Sequence, residues 1–319
     1  MDKSLNGFRA TLGIGWIALG AAGAAYARFR GVPGWVASAA VAAFLVEFGF
    51  YLVPAFPAVR ELVAGRRLPA FLAAGAVLPY LACCCGAAAF HWAALARLAA
   101  VGLGLGLWYL ALPRWVLTDV GFGTLVAWLL LGKFLAGIYP TPYPHVEIAI
   151  LARLAVFQSA VLALMVARRA PETGYGFVPT GREWRIGALH FVCFAAVGLP
   201  LALGIHAVHF VKPAPLWVIA GTFLGFLWVV SLAEDFLFFG VLQPMLEQGT
   251  RNRQAGLLLA SLLFGLSHLW FKGFPNWRWV LIAGMLGLFC GHARNQAGGI
   301  RAAVVTHALT VTAWRAFFA

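Results

Sequence analysis

The stretch Leu216–Leu242, LWVIAGTFLGFLWVVSLAEDFLFFGVL, is apolar except at the adjacent acids Glu234-Asp235 and a few small or hydroxylated residues. It is long enough to cross a bilayer as one α-helix, which takes about 20 residues. A carboxylate near the centre of such a helix costs roughly 2.5–3.5 kcal/mol on insertion scales, and here two stand side by side. Nowhere else does the chain break its hydrophobicity so abruptly. An acid pair at this depth is a site hypothesis on energetic grounds alone.

The rest of the chain has the same character. It holds 319 residues, 63% hydrophobic and 10% charged, whereas a soluble domain is about half apolar and a quarter charged. The expected fold is all-α, a polytopic transmembrane helical bundle of about eleven spans. Their approximate ranges are 11–27, 34–56, 69–90, 93–112, 118–138, 146–167, 186–206, 216–246, 254–271, 277–293 and 300–318. No cleavable signal peptide is expected, because Met1-Asp2-Lys3 is short and its apolar run leads directly into further spans. The formal charge of +13 does not point to nucleic acid, since the basic residues lie mostly in short gaps between apolar runs. With the N-terminus inside, basic residues of the inner loops outnumber those outside by about two to one, which predicts a cytoplasmic N-terminus. Cys83, Cys84, Cys85, Cys193 and Cys290 all fall in apolar runs without CxxC spacing, as small apolar helix residues do.

The longest polar connection runs from Arg168 to Glu183 and contains Pro171, Gly174, Gly176, Pro179 and Gly181. It predicts a six-span region over 1–170, a polar loop over 171–185 and a five-span region over 186–319. The two regions show no internal repeat, which speaks against a transporter with a midplane ion site. Gly221 and Gly225, and Gly284, Gly287 and Gly291, have the spacing of small residues at helix–helix contacts.

Three motifs lie in the second region. Glu234 and Asp235 sit about 100° apart on a helix, so both reach one cavity without sharing a point. Close carboxylates in low dielectric do not both ionise easily, a condition that suits a general base. A structural acid would want a cation one turn on, but position 239 is phenylalanine. In Phe264-Gly265-Leu266-Ser267-His268, the first and last residues share a helix face. His307 lies in the last span, with Thr310 one turn further. Each histidine alone is ordinarily structural; with the acid pair they form a constellation on successive spans. Glu47, Lys133, Glu147 and Arg153 read as snorkelling or paired residues. His145, His190, His206, His209 and His292 lie near span ends, where headgroups or water meet them. One carboxylate and two histidines would also make a zinc set, but HExxH is absent and the residues come from separate spans, so no metal or cofactor is expected.

In this order, the motifs resemble those of the CAAX protease and bacteriocin-processing (CPBP) family, which includes the Ras-converting CAAX endopeptidases. The family pattern is EExxxR, FxxxH and then HxxxN or HxxxD, and the resemblance covers about 186–319. It implies a glutamic intramembrane endopeptidase. Glu234 would be the general base on a water, His268 would position that water, His307 would stabilise the oxyanion with Thr310 in support, and Asp235 would orient Glu234 or the substrate backbone. There are three departures: Asp235 replaces the second glutamate, Phe239 the arginine and Val311 the Asn or Asp. They leave a non-catalytic scaffold or peptide-binding membrane protein as the alternative. The implied partners are the lipid bilayer and a membrane-associated protein or peptide cut near its C-terminus. A composition rich in Ala, Gly and Arg points to a bacterial inner membrane.

Overall fold

The computed structural model describes residues 2–170 and 173–318. Their regular structure is helical, with no strand beyond one isolated bridge between Phe210 and Phe318. The all-α expectation holds. Among the described residues, seven helices are long and apolar enough to cross a membrane, fewer than the roughly eleven spans expected. The other apolar runs are helical but fall short for visible reasons. Val116–Leu130 and Arg253–Leu266 are short. Trp277–Ala297 carries Arg278, His292 and Arg294 near its ends, and Arg301–Phe317 has an arginine near each end. The apolar helices mark an integral membrane protein.

The chain divides into two compact units, Met1–Ala170 and Pro171–Ala319. The first contains α1 (Asp2–Arg30), α2 (Gly34–Leu52), α3 (Pro57–Leu62), α4 (Leu68–Cys84), α5 (Trp92–Ala111), α6 (Val116–Leu131) and α7 (Ile150–Leu162). Pro33 precedes α2 and Pro69 lies in the first turn of α4, where a missing N–H costs no helical bond. α7 is buried along most of its length and packs against α2, α4, α5 and α6. Past its end, Arg168 grips the buried Asp119 of α6 at 2.8 and 3.0 Å through two nitrogens.

The second unit contains α8 (Gly181–Gly204), α9 (Leu216–Gly225), α10 (Ser231–Asp235), α11 (Gln243–Thr250), α12 (Arg253–Leu266), α13 (Trp277–Ala297) and α14 (Arg301–Phe317). Helix α8 begins inside the connection expected as a loop over 171–185, of which Pro171 and Glu172 lie outside the described residues. A capping box starts it: Thr180 Oγ1 accepts from the Glu183 N–H at 3.3 Å, and Glu183 Oε2 accepts from the Thr180 N–H at 2.6 Å. Asn252 caps α12 by accepting from the Gln254 and Ala255 N–H groups. α13 ends at Gly298, whose φ of 81° favours glycine. Buried α14 packs against α8, α9, α10 and α13.

Of the glycines expected at helix contacts, Gly284, Gly287 and Gly291 face α12 or its neighbours, but Gly221 and Gly225 face open space. Between α12 and α13 the backbones themselves come close at Gly265, where an added Cβ would lie 2.6 Å from the Val280 carbonyl oxygen and 2.9 Å from Gly284 Cα. α12 and α13 touch backbone to backbone there because neither residue has a side chain.

Candidate active site

The acid pair lies within the continuous helical run Leu216–Thr250. Inside that run, α10 is one short α-helical turn between two π-helical stretches, Phe226–Val230 and Phe236–Leu242. π turns are uncommon and frequently occur at functional sites. They leave the adjacent acids in different environments. Asp235 is fully buried, whereas the Glu234 side chain is 36% exposed and faces a cavity.

His307 of α14 bridges the pair. Its Nδ1 lies 3.1 Å from Asp235 Oδ1 and its Nε2 lies 3.8 Å from Glu234 Oε2. A carboxylate oxygen accepts, so Nδ1 carries the hydrogen and Nε2 is directed toward Glu234. This places Asp235 behind His307 as its anchor. The sequence expectation gave Asp235 a role on Glu234 or the substrate; the polar contact it makes is with His307.

His268 lies just past the end of α12, where turns replace the helix and its N–H donates to the Gly265 carbonyl. The ring still reaches back one turn. Its Nδ1 lies 2.9 Å from the Phe264 carbonyl oxygen, and that acceptor places the hydrogen on Nδ1 and leaves Nε2 as the free acceptor. Ser267 Oγ donates to the same carbonyl at 2.7 Å and lies 3.1 Å from His268 Nδ1. The buried Phe264 ring meets both His268 and His307 edge-on, at 5.0 and 5.5 Å between ring centroids. It packs on both histidine rings. The sequence had marked Phe264 as a motif position without this role.

Glu234, His268, His307 and Thr310 all line one cavity of about 690 Å³ within the second unit. Its other walls are mostly apolar. One is a stripe on α8, Phe191, Phe194, Ala195, Gly198, Leu199 and Ala202. That stripe follows helical periodicity and was legible in the sequence, though nothing tied it to the motifs. Asp235 does not line the cavity. The Thr310 hydroxyl donates to the Thr306 carbonyl at 2.8 Å, so its hydrogen is held within α14. Phe239 is fully buried against Phe264, and Val311 lines the cavity. The remaining oxygen of Asp235, Oδ2, has no hydrogen-bond partner among the described residues.

The fold and site define an integral membrane protein with an acid–histidine cluster facing a mostly apolar cavity. Residues 214–313 match the model of the family described as type II CAAX prenyl endopeptidase Rce1-like, so the CAAX-protease resemblance is shown over this stretch. The match contains Glu234, Asp235, His268 and His307, while α8 lies outside it. The family is a protease family. No curated protein and no solved structure matches the chain.

Proposed function

We propose that the second unit is a glutamic intramembrane endopeptidase that cuts a membrane-associated protein or peptide near its C-terminus. The observation that carries this is the convergence of Glu234, His268 and His307, from three separate segments, on one cavity. Glu234 takes a proton from a water that His268 Nε2 helps to orient. The resulting hydroxide attacks the scissile carbonyl carbon, and the oxygen that gains charge is stabilised by a protonated His307 Nε2. Glu234 then passes its proton to the departing amine as the C–N bond breaks. Asp235 holds His307 in the orientation this requires, as a buried carboxylate does for histidine in hydrolase triads. The apolar walls keep bulk water from the reacting groups and strengthen each dipole. Thr310 would support the oxyanion only by giving up its bond to Thr306.

We place the protein in a bacterial inner membrane with a cytoplasmic N-terminus, in keeping with its loop charges and composition. The test compares protein termini in cells carrying the wild type or Glu234→Ala, followed by cleavage of the identified substrate with purified protein. A new terminus made only by the wild type is the expected result. A partner retained equally by both proteins and cut by neither would favour the scaffold role, to which Phe239 and Val311 give weight.

A further inference from the structure

A second cavity, of about 520 Å³, opens where α8 ends and α13 begins. Its polar lining is His206, Lys272, Asn276 and Arg278, with Trp277 and Trp279 as walls. Trp279 also lines the cavity that holds Glu234. No carboxylate lines this vestibule. The described acids of this unit are engaged elsewhere: Glu183 pairs with Arg301, Glu247 with Arg294, and Asp235 and Glu234 with His307. Lys272 and Arg278 make no ion pair among the described residues.

Both cations are nonetheless held in place. Arg278 Nη1 donates to the His206 carbonyl at 3.3 Å. Lys272 Nζ lies 5.7 Å from the Trp279 ring centroid and 5.4 Å from that of Trp314. Lys272 and His206 have φ values of 54° and 53°, a left-handed backbone that side-chain-bearing residues seldom adopt. Two positive charges are therefore gathered by strained backbone and aromatic faces with no internal counter-charge.

The surroundings point to the kind of anion these cations suit. Trp270 and Phe274 stack at 4.9 Å and, with Trp277, are 69%, 63% and 60% exposed respectively. Exposed aromatic rings of this kind mark the headgroup level of a bilayer. A guanidinium and an ammonium at that level match a phosphate, to which Arg offers paired donors and Lys a point charge. We propose that the His206–Lys272–Arg278 vestibule seats the phosphate of an anionic membrane phospholipid beside the mouth of the Glu234 cavity. This holds whether or not the cavity is a peptidase site.

The test uses the full chain purified in detergent, with phosphatidylglycerol, phosphatidylcholine and inorganic phosphate as probes and native mass spectrometry as the readout. The wild type retains phosphatidylglycerol over phosphatidylcholine. Lys272→Gln and Arg278→Gln each reduce that preference by about fivefold, the effect of one basic residue near an anionic surface. The charge-keeping Lys272→Arg retains it, and melting in phosphatidylcholine confirms that each variant is folded. Equal retention of the two lipids by the wild type, or an unchanged preference in the double Gln variant, overturns the proposal. Displacement of phosphatidylglycerol by an equal concentration of inorganic phosphate overturns the lipid assignment.

Discussion

His307 Nδ1 donates to Asp235 Oδ1 across 3.1 Å, while Oδ2 of the same carboxyl group has no partner among the described residues. The family pattern would place an arginine one turn on from this acid. Here Phe239 fills that position and packs on Phe264. The two facts fit together, because Oδ2 is left without the donor an arginine would supply. His307 is thus the sole hydrogen-bond partner of the Asp235 side chain among the described residues. Disturbing either residue releases the other.

Asp235→Asn should leave the protein folded and lower kcat by about 10²–10⁴-fold, because a neutral amide does not stabilise the protonated His307 as a carboxylate does. KM should change little, since Asp235 does not line the cavity. Steady-state cleavage of the identified substrate measures both. Turnover close to wild type would remove Asp235 from the proposed mechanism.

Glu234→Ala and His268→Ala should each abolish cleavage without unfolding the protein. Both side chains line the cavity, so truncation enlarges an existing space. Thermal unfolding checks the fold and single-turnover assays the chemistry. Retained turnover in purified Glu234→Ala would sink the assignment of the base.

Thr310→Val should alter kcat by no more than about threefold. Losing a working oxyanion donor costs about 10²–10³ in rate, but this hydroxyl already donates to Thr306. A loss in that larger range would show that the hydroxyl turns toward the substrate during reaction.

Gly265→Ala should destabilise the second unit by about 1–3 kcal/mol, the usual cost of overpacking. The new methyl group would meet the backbone of α13, which has no side-chain slack to give. Because His268 follows three residues later, activity should fall as well. Denaturant unfolding and cleavage are the paired measurements; a neutral result in both would mean that α12 and α13 separate freely.

Arg168→Gln should destabilise the first unit more than Asp119→Asn. The Asp119 side chain is 4% exposed and the Arg168 side chain 28%. Losing the arginine strands a buried carboxylate, at about 3 kcal/mol, whereas losing the acid leaves a cation that already reaches water. Melting temperatures of the two variants give the order directly.

The fold class was plain in the sequence because hydropathy alone determines it. The span count was less so. α13 has an apolar centre but arginines near both ends, and run length does not distinguish such a helix from one that crosses. The candidate site residues were legible as chemical anomalies, acids and histidines in apolar runs. Their division of labour was not. Adjacent residues 234 and 235 look equivalent on paper, and only packing buries one and opens the other to the cavity. Gly221 and Gly225 show the same limit: their spacing suits helix contact, but contact requires a neighbour on that face. In the sequence, Lys272 and Arg278 count only as basic residues of the outer loops. The fold brings them to one cavity.

The π-helical stretches on either side of α10 carry a further consequence. Each widens the winding of the helix, so the direction in which Glu234 points depends on residue count as well as on residue type. Shortening Phe236–Leu242 by one residue would turn everything beyond it by about 100° relative to the acids. A chain with every motif letter intact would then hold its carboxylates out of step with the helices they must meet. Spacing within this run is thus a second code, written over the one spelled by the side chains.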